Sequence, residues 1–325
     1  MVKAAVIGGG VFGTTIAVDL ARAGIQVDLF EARNDLLEGA TGNCQARLHS
    51  GYHYPRSDAT AKTAQDAAPE FIARYPEAIY RAQQHYVIAA ESKVSGAEYL
   101  AFCDRLNLPY EVVEPPQVHH AQVCVRVPEA FIDVDRLRRL LRCDLLQAGV
   151  NLHFGHQIKT PSGWDLVVWA TYGQPWSKPL RYELCEVALI EVGGQYKDQS
   201  FVVLDGNHVS LDPYGPFHML YDVKHSVRDV SSQPSRLWPW PRKPVSNYEK
   251  MLKTAGQHLR GLDPHGQGMA IYHRSMFSVR AVLPDVDATD ERPTLIECDG
   301  NVISVLSGKI CTAVSAARSI VEMVT

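Results

Sequence analysis

The chain has 325 residues, 46% of them apolar, with 36 acidic against 32 basic side chains and a formal net charge of -4. That is enough apolar material for one large domain or two intimately connected ones, and the charge balance, without a run of Lys or Arg, excludes a surface that tracks nucleic-acid phosphates. Seven cysteines without a CxxC pair fit reduced, cytoplasmic thiols rather than a disulfide frame.

Residues 3–7 form an apolar strand that runs into Gly8-Gly9-Gly10-Val11-Phe12-Gly13, followed by a helix expected over 12–23 and a second strand ending on Glu31. Asp19 and Arg22 within this segment argue against a signal peptide or a membrane span, so no integral membrane contact is expected. In a strand, turn and helix of this kind Gly8 permits the tight turn, Gly10 lets the backbone approach a pyrophosphate, and Gly13 lets the helix pack on the sheet. The free N–H groups and positive dipole end of the helix then point at that phosphate. Glu31 falls at the spacing where a carboxylate accepts from adenosine ribose hydroxyls, and Gly24 stops the helix. A dinucleotide site is expected here, with Val11, Phe12, Ala32 and Arg33 beside it.

Residues 32–39 read as a loop, and 41–54 (TGNCQARLHSGYHY) mix small, polar and aromatic residues without a period, the kind of segment that lines a site. Residues 57–81 are Ala-rich with helical spacing interrupted at Pro69 and Pro76; a strand over 86–90 and a helix over 97–106 follow. The stretch 130–148 reads as one amphipathic helix capped by Asp133, with Leu137, Leu140, Leu141 and Leu145 on one face and Arg136, Arg138, Arg139 and Arg142 on a solvated one. Gly149 ends it, a strand over 150–154 follows, and 164–170 (WDLVVWA) has the continuous apolar character of a buried parallel strand leading into Thr171-Tyr172-Gly173. From 180 to 221 alternating β-branched stretches separated by Gly, Asn and Pro turns predict an antiparallel sheet. A Pro- and Trp-rich loop (233–244), a helix (245–259), a strand (302–306) and a closing helix to about residue 323 complete the chain. His119-His120 and the His153/His156 pair lack a nearby set of Cys, Asp or Glu, so no metal site is expected.

Together these pieces resemble the flavoprotein superfamily of D-amino-acid oxidase, glycine oxidase, L-2-hydroxyglutarate dehydrogenase and the flavin-linked glycerol-3-phosphate dehydrogenases, over essentially the whole chain. His49-Ser50-Gly51-Tyr52-His53-Tyr54 resembles the His-small-Gly-x-x-Tyr ending of the flavin-proximal segment in the last two. Residues 165–173 are similar to the strand and Ala-Thr-Gly turn that touches the dinucleotide, with Tyr172 interrupting the turn, and 205–213 resemble the sheet above the flavin. Ser278-Val279-Arg280-Ala281 resembles the Gly-x-Arg motif, with Ser278 in place of glycine, and Ser307-Gly308-Lys309-Ile310-Cys311-Thr312 resembles the Gly-Gly-Lys-x-Thr-Thr turn. The resemblance implies FAD as cofactor, held further by Thr41, Gly42, Cys44, Ile158, Ala170, Thr171, Gly173, Gly308, Lys309 and Ile310. It implies an α/β fold: a Rossmann-like FAD-binding domain (1–82, 124–179 and 275–325) and a mixed α+β substrate domain built on an antiparallel sheet (83–123 and 180–274).

The strand, turn and helix at the C-terminus would return to the cofactor, as a long FAD molecule needs, which favours FAD over a nicotinamide dinucleotide. Reduced flavin carries negative charge near N1 and the C2 carbonyl, so a helix N-terminus and the Lys309 ammonium would stabilise it. Arg280 is the expected bidentate holder of a substrate carboxylate or phosphate, with a structural salt bridge as the other reading. His49 is the expected base, because imidazole titrates near neutrality; a hydrogen bond to backbone or cofactor, or covalent flavin attachment, are the other readings. Tyr52, His53 and Tyr54 either wall the substrate pocket or pack in the core. Cys44 is a cofactor contact rather than a reactive thiol, and Cys311 sits at a helix N-terminus that could lower its pKa if burial does not prevail. The expected activity is oxidation of a C–H bond next to an amine or hydroxyl of a small anionic metabolite, an amino acid, hydroxy acid or related anion. An NAD(P)-dependent dehydrogenase and a flavin-binding protein without turnover stand as alternatives.

Overall fold

A computed structural model describes residues 2–172, 176–206, 209–234, 237, 244–262, 270–284, 289 and 291–325. The first unit is the expected one: strand β1 (Lys3–Ile7), helix α1 (Val11–Arg22) and strand β2 (Gln26–Glu31), with Lys3 opposite Gln26 and Ile7 opposite Phe30 in parallel register. The chain then makes β3 (Arg47–Leu48), α2 (Asp58–Arg74), β4 (Ile79–Tyr80), β5 (Gln83–Ala89), α3 (Gly96–Arg105), β6 (Glu111–Val112), β7 (Ala121–Val127) and β8 (Ala130–Ile132). Helix α4 (Val134–Gln147) leads to β9 (Asn151–Phe154) and β10 (Leu166–Trp169). Next come β11 (Arg181–Glu191), β12 (Gln199–Leu204), β13 (Val209–Tyr214), β14 (Phe217–Asp222), the short α5 (Val223–Ser226), β15 (Val227–Ser231) and α6 (Tyr248–Gly256). The chain closes with β16 (Ile271–Val282), β17 (Leu295–Asp299), β18 (Val302–Leu306) and α7 (Ala313–Val324).

Among the described residues these strands form three sheets. The first has the order β17-β18-β10-β1-β2-β9 and is parallel except for the β17–β18 pair. Helices α1 and α7 pack together on it, burying Ile16, Ala17 and Leu20 of one and Ala313, Ala317 and Ile320 of the other in a single apolar cluster with the strands. The second sheet runs β15-β11-β14-β13-β12-β5-β7-β6 with β16 paired to β11, antiparallel but for the β12–β5 pair. The third joins β3, β8 and β4 and ties the segment around Arg47 to the start of α4.

Three local expectations change. Residues 130–148 are not one helix: Ala130, Phe131 and Ile132 are buried as β8, and the helix begins after Asp133, whose carboxylate accepts the Arg136 N–H at 2.9 Å. Strand pairing and burial override helical spacing in those three residues. Pro69, expected to interrupt, sits inside a continuous α2, whose other turns are held by buried Ala64, Ala67, Ala68 and Phe71; Pro76 does end it. The arginines of α4 do more than face solvent, since Arg138 Nε donates to the Leu36 carbonyl at 2.9 Å and Arg142 pairs with Asp35, fixing the loop that follows β2.

Candidate active site

The turn after β1 is built by close approach. A Cβ on Gly13 would lie 1.9 Å from the Gly8 carbonyl oxygen, so only glycine lets α1 start this near the strand. At Gly10, the residue that caps α1, an added Cβ would meet only the Thr41 hydroxyl at 3.6 Å, so the chain here presents bare backbone to open space. Glu31 Oε2 accepts the Gly9 N–H at 2.6 Å and Oε1 the Arg33 N–H at 2.8 Å. Each carboxylate oxygen has a second lone pair, so Glu31 braces the turn and can still accept from a ribose.

A cavity of about 460 Å³ opens from this turn. Its near end is lined by Gly8, Gly10, Val11 and Phe12, and by Glu31, Ala32 and Arg33. Thr41, Cys44, Ile158, Ala170 and Thr171 continue the wall, and Gly308, Lys309 and Ile310 close the far end. Both ends of the chain thus meet on one space. Of the remaining expected cofactor residues, Gly13 lies behind the turn, Gly42 packs with its α-carbon against the Leu37 carbonyl rather than facing the cavity, and Gly173 falls outside the described residues. Tyr172, Tyr182 and Val279 also line it and were not anticipated; Tyr172, at φ 57°, showed in the sequence only as the interruption of a turn. Cys44 donates to the Thr41 carbonyl, and burial pushes its thiol up from the ordinary value. Cys311 is 1% exposed and burial pushes it up to about 12, so the helix start does not make it a thiolate.

Apart from Lys309, which lines the cavity, the polar candidates lie beside it rather than on its wall. His49 stacks on His53 at 4.9 Å between ring centroids, and both meet Tyr54 edge-on. Of the two readings of Tyr52 the core one holds: it is 2% exposed, donates to the Pro109 carbonyl at 2.7 Å and packs against Tyr86. Lys309 is buried, and its ammonium donates to the Arg292 carbonyl and lies 5.4 Å from the centroid of the Tyr54 ring. It therefore links the far end of the cavity to the His49 cluster.

Arg280, on β16, does not stand as a free fork. Its Nε and Nη2 both reach Glu183 Oε2 on β11 at 2.6 Å, and Glu183 also accepts from Arg181 at 2.9 Å. The salt-bridge reading of Arg280 is thus realised, although the side chain stays 37% exposed next to Val279 on the cavity wall.

A group of buried charges behind His49 escaped the sequence reading. Arg47 Nε lies 3.7 Å from Asp212 Oδ2, with side-chain exposures of 5% and 0%. Glu129 Oε1 accepts the Ser50 N–H at 2.7 Å and sits 3.8 Å from His49 Nδ1, while Oε2 accepts the Tyr86 hydroxyl. These residues come from β3, β5, β13 and the β7–β8 link, so no local pattern announces them.

Comparison with known proteins fits this geometry. The chain is 29% identical to the FAD-dependent monooxygenase kojA of Aspergillus flavus over 99% of its own length and 85% of that protein, and 28% identical to the FAD-dependent monooxygenase FPY4 of Fusarium mangiferae over 98% and 90%. Among solved structures it superposes on glycine oxidase from Geobacillus kaustophilus with a TM-score of 0.76 at 14% identity, covering 99% and 95% of the two chains. NikD, an amino acid oxidase essential for nikkomycin biosynthesis, gives 0.70 at 15%, covering 98% and 94%. The profile of the family described as FAD dependent oxidoreductase matches residues 3–177. With a glycine cradle open for a pyrophosphate and a cavity that both termini line, the chain belongs to this family of FAD-dependent oxidoreductases, and its cofactor is FAD.

Proposed function

We propose that this FAD-dependent oxidoreductase oxidises a C–H bond next to an amine or hydroxyl of a small metabolite. The observation that carries the reading is the single cavity walled at one end by the Gly8–Phe12 turn and Glu31 and at the other by Gly308–Ile310. FAD, when bound, supplies the acceptor for a hydride leaving the substrate carbon. The amides at the start of α1 would hold its diphosphate and Glu31 its ribose, and the amides after Gly308 would offset negative charge that develops on the ring on reduction. His49 takes the proton from the substrate hydroxyl or amine. Arg280 remains the anchor for a carboxylate or phosphate, with its charge already shared with Glu183.

The division of labour follows sheet membership. The expected boundaries at 124 and 275 fall inside β7 and β16, both strands of the nine-stranded sheet, so we assign β5 to β7, β11 to β15 and β16 to the substrate domain and the parallel sheet with its helices to FAD. No helix among the described residues is long and apolar enough to cross a membrane, and the seven free cysteines suit the cytoplasm.

Anaerobic screening of amino acids, hydroxy acids and sugar phosphates against the purified yellow protein tests this function: bleaching near 450 nm by one of them is expected. The names of the fungal relatives favour a second reading, a monooxygenase. In that case no metabolite bleaches the flavin alone, and reduction requires a separate electron donor such as NADH or NADPH.

A further inference from the structure

Glu129 occupies the short link between β7 and β8, and its carboxylate is fully buried. A carboxylate out of water costs several kcal/mol unless donors surround it. Here Ser50 N–H binds Oε1 and the Tyr86 hydroxyl binds Oε2, while His49 Nδ1 faces Oε1 at 3.8 Å. Burial works against the charge, yet His49, Tyr86 and Ser50 outweigh it and hold Glu129 below the usual carboxylate range. Arg47 and Asp212 flank the group as a second ion pair, and the Lys309 ammonium lies beyond Tyr54.

An ionised carboxylate can only accept. His49 Nδ1 is buried with no hydrogen-bond partner, Glu129 Oε1 lying 3.8 Å away, and a carboxylate facing it favours hydrogen on that nitrogen. The ring as a whole keeps 17% exposure, so its accessible edge lies away from Glu129. A separation of 3.8 Å exceeds a hydrogen bond, so the pairing requires the imidazole to move closer, as resting sites often do.

We propose that Glu129 is a positioning residue for His49: it fixes the imidazole with hydrogen on Nδ1 and leaves a bare Nε2 for the substrate, a role that rests on His49 being the base. The substrate O–H or N–H proton then passes to Nε2, and the imidazolium so formed has its Nδ1–H charge facing Glu129. The carbon loses its hydrogen with the electron pair as hydride to FAD, so the substrate leaves with a C=O or C=N bond.

The histidine tautomer reads this directly. Holoenzyme labelled with 15N-histidine, with the His49 signals identified by their loss in His49→Gln, should show hydrogen on Nδ1 in the two-bond 1H–15N correlation at a pH where the ring is neutral. In Glu129→Gln the proton should move toward Nε2, while Tyr86→Phe, which leaves the carboxylate in place, should keep the wild-type pattern. A bare Nδ1 in the wild type, or an unchanged tautomer in Glu129→Gln, overturns the positioning role; the wild-type spectrum decides alone if Glu129→Gln does not fold. If His49→Gln is reduced as fast as wild type by the compound that bleaches the flavin in the metabolite screen, the base reading fails, whatever the tautomer.

Discussion

Two carboxylates, one at each end of the site, do similar work in different settings. Glu31 accepts two backbone amides within the first 33 residues of the chain, at the edge of an open cavity. Glu129 also accepts a backbone amide, but 79 residues away, and it is sealed from water among Tyr86, His49 and Arg47. The glycine-turn end is held by backbone fit and the His49 cluster by mutual compensation of buried charges. Damage to the first should remove FAD, and damage to the second should first remove stability.

The largest effect is expected at Arg47. Arg47→Met leaves Asp212 and Glu129 without their buried cation, and breaking such a pair typically costs about 4 kcal/mol. Urea unfolding of the holoenzyme should show a loss of that size, with FAD still bound in the folded fraction. A loss under 1 kcal/mol would mean that the cluster is already satisfied without Arg47, and the contrast between the two ends would weaken.

Gly13→Val breaks the other side. Its Cβ must displace the Gly8 carbonyl from 1.9 Å, and overpacking of this kind costs about 3 kcal/mol. Because the shift falls on the turn itself, the absorbance at 450 nm should be lost even from protein that remains folded by circular dichroism. Yellow protein with wild-type affinity would show that α1 can move off the sheet without spoiling the cradle.

The same contrast explains what could be read before the fold was seen. The β1–α1–β2 unit, the Asp133 cap and β18 each depend on neighbours in the chain and appear where expected, and residues 307–310 line the cavity that opens from the first turn. Strand β16 did not show itself, because residues 271–274 are largely exposed and 275–278 continuously buried, so it carries no period-two alternation. It is recognisable only against β11, some ninety residues away. Glu129 lies in a link without periodicity, and its partners Ser50 and Tyr86 stand 79 and 43 residues off, so nothing local distinguishes it from a surface glutamate. Arg280 stood out in the sequence as a candidate, but Glu183 as its partner required the pairing of two strands.

A smaller effect sharpens the role of Glu31. Glu31→Gln keeps one acceptor oxygen and turns the other into a donor that cannot serve both the Gly9 amide and a ribose hydroxyl. Losing one charge-assisted hydrogen bond of this kind costs about 1.5 kcal/mol, roughly tenfold in affinity for FAD. Titration of the apoprotein with FAD would measure it, and the melting temperature of the apoprotein should change less than in the Arg47 variant.

The smallest signal lies in the acid limb of stability and separates the two glutamates by environment. Glu129 is held below the carboxylate range in the folded state, so the unfolded chain binds its proton first as pH falls. Its contribution is therefore complete above the unfolded value of about 4.3 and fades as pH drops through the lower folded value. The stability gap between wild type and Glu129→Gln should stay constant from neutrality to about 4.3 and narrow below it, as read by urea midpoints at successive pH values. A gap that narrows well above that point would mean the buried carboxyl takes up a proton early, and a neutral Glu129 could no longer oblige His49 to carry its hydrogen on Nδ1.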